Sequence, residues 1–355
     1  MCIARGRNWF HGMSKPKAAK IKDVARLAGV SPATVSRALN SPALLEADTL
    51  ERVRSAARKL HYQPLGVARS LRRRRSMVIG TIIQSMENAS YISGMVEYTQ
   101  RQLAQHGYTM LLASASFDDD LALSSCRAMI AQGIDAVMLI ASRRGSKLYA
   151  LLSEYGTPHV EAWIHDPATP SIGFDHVDAM HQISRHLLDL GHRDFAVVAP
   201  MRRIADLERR RLHALELALA AYGVDRSRLL LIDDSGFGIL DGRKAMADIL
   251  SRAPGTTAVI CANDNLATGV ILECQSRGID VPRQLSVVGY NDLEISRALS
   301  PSITTVATPY EGVASAAIGY LLSSLNGAPP PQMQPPDKAT LLVRASTARS
   351  RRRAK

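Results

Sequence analysis

Residues 21–40, IKDVARLAGVSPATVSRALN, constrain this chain more than any other stretch, because a glycine stands where two short apolar periods of helical spacing meet. Val24, Ala25, Leu27 and Ala28 supply the first period, and Val35, Ala38 and Leu39 the second. Gly29 between them is free to take the positive φ of a tight turn, so two short helices joined by that turn are expected. Ala25 is small enough to let the second helix approach, and Val35 fills the angle between the two. Ser31 is placed to cap the second helix and Pro32 to open it, where a missing N–H costs nothing. The outward positions are then Pro32, Ala33, Thr34, Ser36, Arg37 and Asn40. With Ser31 they offer methyl, hydroxyl, amide and guanidinium groups, which suit base edges in a major groove and the phosphates beside it.

A helical hairpin of this kind also occurs as an ordinary part of a larger core, and charge decides against that here. Residues 1–76 hold 17 Lys and Arg against 4 Asp and Glu, whereas residues 77–355 hold 27 against 28, so the net charge of +12 belongs to one end. A basic segment around such a motif fits an electrostatic footprint on nucleic acid. No apolar run approaches the ~18 residues that a membrane span requires, so no membrane partner is expected. The first residues, MCIARGRNWFHGMSKPKAAK, lack the apolar stretch of a signal peptide, and a cytoplasmic, nucleoid-associated location is expected. Met13 is a second candidate start. Cys2, Cys126, Cys261 and Cys274 show no metal-ligand spacing, so neither a metal nor a cofactor is expected.

Beyond the motif, Leu50, Val53, Ala56, Ala57 and Leu60 form a helical stripe over 46–60 that completes a small bundle. The reading divides the chain into a disordered basic extension (1–19), a helix-turn-helix domain (20–64), a basic hinge (65–76), a core (77–345) and a basic tail (346–355) whose closing RSRRRAK is frayed. The hinge holds Arg69 and the run Arg72–Arg75 for phosphates, and Leu71 as an apolar wedge; it is too short for a stable free helix. From Met77 onward, seven compact apolar runs (MVIGTII, YTMLLAS, AVMLI, DFAVVAP, LLLID, TAVICAN and LSVVGY) alternate with amphipathic stretches over 92–106, 178–190, 206–222, 241–252 and 265–277. Gly107, Gly133, Gly191, Gly223 and Gly278 fall at helix ends before strands. This alternation predicts α/β architecture, with two doubly wound parallel lobes and a pocket where loops meet at the carboxyl ends of strands.

DVARLAGVSPATVSRALN, YQPLGVARSL, MVIG, LDLGHRDFAVV, AVICANDNLATGV, LSVVGYND and PSITTV occur in an order and at distances that resemble the lactose/galactose repressor (LacI/GalR) family of bacterial transcription regulators, over about residues 20–345. The resemblance implies an all-α helix-turn-helix headpiece, a hinge, and a two-lobed core similar to periplasmic binding proteins, with crossings near residues 176 and 307 and again near the proline-rich segment 328–336. It implies a homodimer on a pseudo-palindromic double-stranded DNA operator, probed by Pro32, Ala33 and Arg37 with Leu71 as minor-groove wedge. It also implies a small-molecule effector between the lobes, held by Tyr91, Trp163, Arg211, Phe237, Asn263 and Asn291. Two departures stand out: Asn291 replaces an aspartate common in sugar-responsive members, and Ala214-Leu215 replaces a Gly-aromatic pair. GYNDLEI and VEAW are similar to the gluconate-type branch, so a sugar or a sugar acid such as gluconate is expected. For an acid, the carboxylate would lie on Arg211, since a guanidinium in a water-poor cleft needs an anionic partner. Each position also has a plainer reading, with Trp163 and Phe237 as core and Arg211 as one of the solvated run Arg209–Arg211. No coiled-coil heptad follows the core, because Gly327 and the prolines interrupt any helix there.

Two rival readings are an enzyme and a solute-binding protein with an incidental basic domain. Asp233-Asp234, His176 and the pair His181/His186 are the acid–base candidates, but no phosphate loop, GxSxG or HExxH accompanies them, so no catalytic residues are expected. Regulation is expected instead, with ligand in the cleft changing the angle between lobes and thereby DNA affinity.

Overall fold

The computed structural model of the chain describes residues 19–40, 42–62, 75–86, 90–141, 146–166, 169–200, 205–329 and 338–351. They fall into two compact units that divide between Ser76 and Met77. In the first unit, α1 (Ile21–Ala28), α2 (Pro32–Asn40) and α3 (Ala47–Lys59) close on a core of Val24, Ala25, Ala28, Val35, Ala38, Val53 and Ala56. Gly29 makes the turn at φ 66° and donates its N–H back to the end of α1. One expected core position is corrected: Leu27 is 51% exposed. At about 100° per residue it lies about a quarter-turn from the direction shared by Val24, Ala25 and Ala28, which α2 and α3 cover.

In the second unit the first lobe is a parallel sheet ordered β2-β1-β3-β4-β5, from β1 (Val78–Ile83), β2 (Thr109–Ser114), β3 (Ala136–Ile140), β4 (His159–Trp163) and β5 (Ser171–Gly173). The second lobe is a parallel sheet ordered β7-β6-β8-β9, from β6 (Phe195–Val198), β7 (Leu229–Ile232), β8 (Ala258–Cys261) and β9 (Ser286–Val288). The seven expected strands are all present. Three strands of three residues each, β5, β10 (Thr305–Ala307) and β11 (Thr340–Leu342), are too short to carry a legible period; the last two pair antiparallel as a separate ribbon.

The chain leaves the first lobe after β5 through α7 (His176–Asp189), with α4 (Ser90–Gln105), α5 (Asp119–Ala131) and α6 (Ser146–Glu154) behind it. It builds the second lobe with α8 (Ala205–Ala221), α9 (Ile239–Arg252), α10 (Asp264–Ser276) and the short α11 (Glu294–Ala298). After β10 it returns to the first lobe as α12 (Tyr310–Leu325), which packs on α4 with a Tyr98 Oη to Ser315 Oγ hydrogen bond of 2.8 Å. The crossings near 176 and 307 thus stand where expected, while most of the proline-rich crossing lies outside the described residues. Helices α9 and α10 touch backbone to backbone. A Cβ on Gly242 would run into the carbonyl of Leu266, and one on Gly269 into that of Ile239.

The tail is a second correction, in part: of the stretch expected to fray, 349–355, Ser350 is anchored while 352–355 lie outside the described residues, and the segment before it is bound to the core. Ser346 is fully buried; its carbonyl accepts from Val287 N–H, and its hydroxyl donates to the Val287 carbonyl at 2.6 Å. Ala348 N–H donates to Ser286 Oγ, and Ser350 N–H to the Leu190 carbonyl. β9 is the outer strand of its sheet, and Ser346 satisfies both backbone groups of Val287 on the edge that would otherwise be free.

Candidate functional site

Two sets of side chains need placing, one in each unit. On α2, Ser31 caps the helix by accepting from Thr34 N–H at 3.1 Å, and its hydroxyl lies 2.9 Å from Thr34 Oγ1. That bond ties Ser31 and Thr34 to each other, and Thr34 and Ser36 are only half-exposed. Pro32, Ala33 and Arg37 are fully presented to solvent, which leaves Arg37 as the one charged group on the face. Asn40 ends α2, with its side chain outside the described residues, as are Arg69 and Leu71 entirely.

In the core, a cleft of about 410 Å³, counting its open mouth, lies between the lobes at the carboxyl ends of their strands. The first lobe contributes Gln84 after β1, Ala141 after β3 and Trp163 at the end of β4. The second contributes Glu208 and Arg211 from α8, Phe237 after β7, Asn263 after β8 and Asn291 after β9. Five of the six residues that the resemblance pointed to are therefore brought together. The sixth, Tyr91, is the second residue of α4, and its side chain lies outside the described residues. Ala141, Trp163 and Asn291 hold left-handed φ of 50°, 99° and 98°. Such conformations cost of order 1–3 kcal/mol each and persist where the surroundings fix them.

The polar groups divide into spent and unspent. Arg211 is 6% exposed while Arg209 and Arg210 are in solvent, so it does not belong to the solvated run. Its Nη1 donates to Glu208 Oε1 at 2.9 Å, its Nη2 lies 3.1 Å from His176 Nδ1, and its Cζ stands 4.0 Å over the Tyr290 ring. Burial pushes the Glu208 carboxyl up, and Arg211 pulls it part of the way back. The anionic partner expected from a ligand is therefore already present, one helical turn away, and the described lining residues carry no net charge. Asn263 caps α10, accepting from Leu266 N–H at 2.8 Å and donating to the Phe237 carbonyl at 3.2 Å, so most of its amide is engaged. By contrast, Gln84 is 2% exposed with neither amide atom hydrogen-bonded, and Asn291 Oδ1 is likewise buried without a partner. Buried amide atoms left so cost about 1–3 kcal/mol each unless something enters to meet them.

Trp163 packs edge-on against Phe174 at 5.3 Å, and Phe237 stacks on Phe117 of the first lobe at 5.2 Å and 4°. Behind the cleft, Asp264 accepts from Thr305 Oγ1 at 2.6 Å and from Leu293 N–H at 2.7 Å, and burial pushes its carboxyl up to about 7. Sequence reasoning did not single out Gln84, Glu208 or Tyr290. Only Glu208 carried a local signal, as an acid three residues before an arginine on an expected helix. Among the described residues, no group of three His, Cys, Asp or Glu side chains is placed to hold a metal, and no helix is long and apolar enough to cross a membrane.

Residues 20–64 match the model of the bacterial regulatory proteins of the lacI family, and residues 184–347 that of a periplasmic binding protein-like domain. The chain is 30% identical over 311 residues to the HTH-type transcriptional repressor PurR of Pectobacterium carotovorum, covering 86% of this chain and 90% of that one. It is similar to the crystal structure of the transcription regulator GntR from Chromobacterium violaceum, at 27% identity and a TM-score of 0.71, covering 76% of this chain and 99% of that one. The fold is also that of the lac repressor dimer bound to operator and the anti-inducer ONPF, at 24% identity and a TM-score of 0.80, covering 94% of this chain and all of that one.

Proposed function

The chain belongs to the LacI family of bacterial regulatory proteins, as a DNA-binding transcriptional repressor under small-molecule control, and we propose that its effector is a small, neutral, polyhydroxylated molecule of sugar type. The observation that carries this reading is the pair of unspent amides, Gln84 and Asn291, facing a cleft in which the charged groups among the described lining residues, Glu208 and Arg211, already neutralise each other. Amides donate and accept, as hydroxyl groups require, and Trp163 and Phe237 cover the apolar faces of a ring. A sugar acid such as gluconate is the second reading, favoured by Arg211 and by the GYNDLEI and VEAW segments. A carboxylate entering beside Glu208 meets a like charge, so acid binding at pH 7 requires Glu208 to take up a proton.

Calorimetry of neutral sugars and their aldonic acids, run in buffers of differing ionisation heat, separates the two readings. Binding of a neutral sugar without proton exchange supports the first, and binding of an acid with uptake of about one proton supports the second. Absence of binding by either class, with no thermal stabilisation of the full chain, overturns both.

On DNA, a homodimer sets two α2 helices in successive major grooves of a pseudo-palindrome, with half-sites about one helical turn apart. Arg37 reads guanine, Ala33 offers only a methyl group, and Arg69 and Leu71 engage the centre of the operator. The protein acts in the cytoplasm, at the nucleoid.

A further inference from the structure

His176 is buried at the start of α7, where the chain crosses between lobes, and no role has yet been assigned to it. Its two ring nitrogens face different lobes. Nε2 lies 3.1 Å from the carbonyl of Trp163, at the end of β4 in the first lobe. Nδ1 lies 3.1 Å from Arg211 Nη2 and 3.3 Å from Tyr290 Oη, both in the second lobe. A carbonyl only accepts and a guanidinium only donates, so both contacts are hydrogen bonds in one state alone: the neutral ring with its proton on Nε2. Burial, with the Arg211 guanidinium adding to it, holds the imidazole well below its usual pKa, in keeping with that state.

The ring completes a continuous seam. Phe174 lies 3.9 Å from it on the first-lobe side, with Trp163 edge-on beyond, and Tyr290 carries the Arg211 guanidinium on its face. Arg211 is thus held by Glu208 on one amino group, by His176 on the other and by Tyr290 below. Trp163 keeps its left-handed φ with its carbonyl fixed by the same imidazole.

We propose that His176 is the positioning residue of the cleft, which couples Trp163 in one lobe to Arg211 in the other and so fixes the angle between the lobes. The inference builds on the reading of the cleft as the effector site. It assigns to the crossing segment the part of the machinery on which a ligand must act to move one lobe against the other.

The two halves of the coupling separate by substitution. His176→Asn retains an acceptor near Nδ1 for Arg211 and loses the donor to Trp163; His176→Gln retains a donor near Nε2 and loses the acceptor. The test is pulsed electron resonance on the full chain, with nitroxides at Ala131→Cys in the first lobe and Ala220→Cys in the second, both exposed positions, in a Cys2→Ser background; Cys126, Cys261 and Cys274 are buried. With labelled chain diluted in excess unlabelled chain, so that distances across the homodimer drop out, one narrow distance is expected for the parent, and a distribution at least twice as broad for each of the two variants. Trp163 anisotropy, read in a Trp9→Phe background, should fall in His176→Asn and hold in His176→Gln. Distributions that superimpose on the parent in both variants would overturn the proposal, as would equal anisotropy in the two. Neither readout uses an effector, so a cleft that binds no sugar leaves this result standing, and a sugar that binds with the coupling disproved leaves the effector reading standing.

Discussion

The outer face of α2 and the cleft of the core are both built to meet a ligand, yet they hold their polar groups in opposite ways. On α2 the groups face outward at helical spacing, exposed or half-exposed, and Ser31 and Thr34 bond to each other across one turn. In the cleft the charged groups are out of water and satisfied by the protein's own side chains: Arg211 by Glu208 one turn away and by His176, 35 positions away, with Asp264 behind the cleft held by Thr305, 41 positions away. A surface that will meet phosphates and base edges tolerates unpaired groups because water serves them meanwhile. A cleft cannot, so its own side chains neutralise one another, and the few left unsatisfied, Gln84 and Asn291, mark where a ligand is received.

The contrast is broken most severely by removing one member of a buried pair. Glu208→Ala leaves the Arg211 guanidinium buried without its counter-charge, and a loss of about 3–5 kcal/mol in core stability is expected by denaturant titration. A loss below about 1 kcal/mol would mean that water already reaches the pair.

Asp264 sharpens the contrast through pH. Its carboxyl titrates near 3.8 in the unfolded chain and is pushed up to about 7 when folded, so the folded state holds the proton more tightly. Stability tied to the neutral acid is complete below about pH 4 and is lost as pH rises towards 7. Asp264→Asn should therefore unfold at a higher temperature than the parent at pH 8, with the gap closing on acidification; calorimetry across that range with a constant gap would contradict it.

On α2 the effects are smaller and confined to one property each. Arg37→Ala should cost about 1–3 kcal/mol of discrimination between an operator and its guanine-substituted variants in gel-shift titrations, and should leave the melting temperature unchanged. Ser31→Ala removes the cap and should lower headpiece stability by about 1 kcal/mol, read by amide exchange in α2, without altering base preference. If Arg37→Ala destabilised the fold while leaving base preference intact, the division between exposed reading face and buried cleft would fail.

The same difference decides what could be read in advance. The headpiece was legible almost residue by residue, since caps, turn glycine and apolar period all act within one or two turns; the exception, Leu27, is a question of which neighbours cover a face. Seven strands were legible because each lies within a longer apolar run, and the resemblance supplied five residues that now line one cleft. Residues that act through remote partners were not. Nothing near Gln84 announces that its amide faces an empty space, and His176 appeared only as an acid–base candidate because its meaning lies in Trp163 and Arg211. α12 escaped the search for amphipathic periods because it is apolar nearly all round, with Val313, Ala314, Ala317, Ile318 and Leu321 buried. The segment 346–350 looked like the start of a basic tail, frayed from residue 349 on, because the groups that hold it belong to the edge of β9 and the end of α7.

That segment has a consequence for how the chain is made. Neither lobe is continuous in sequence: the first waits for α12, and the outer strand of the second waits for residues 346–350, which leave the ribosome after every strand of the sheet they close. The headpiece can fold as soon as it emerges, but each lobe of the core spends most of synthesis with a face or an edge uncovered. Cells should therefore feel slowed translation or a premature stop past residue 300 as aggregation of the core rather than of the headpiece, and chaperone demand should fall only once Ser350 has found the carbonyl of Leu190.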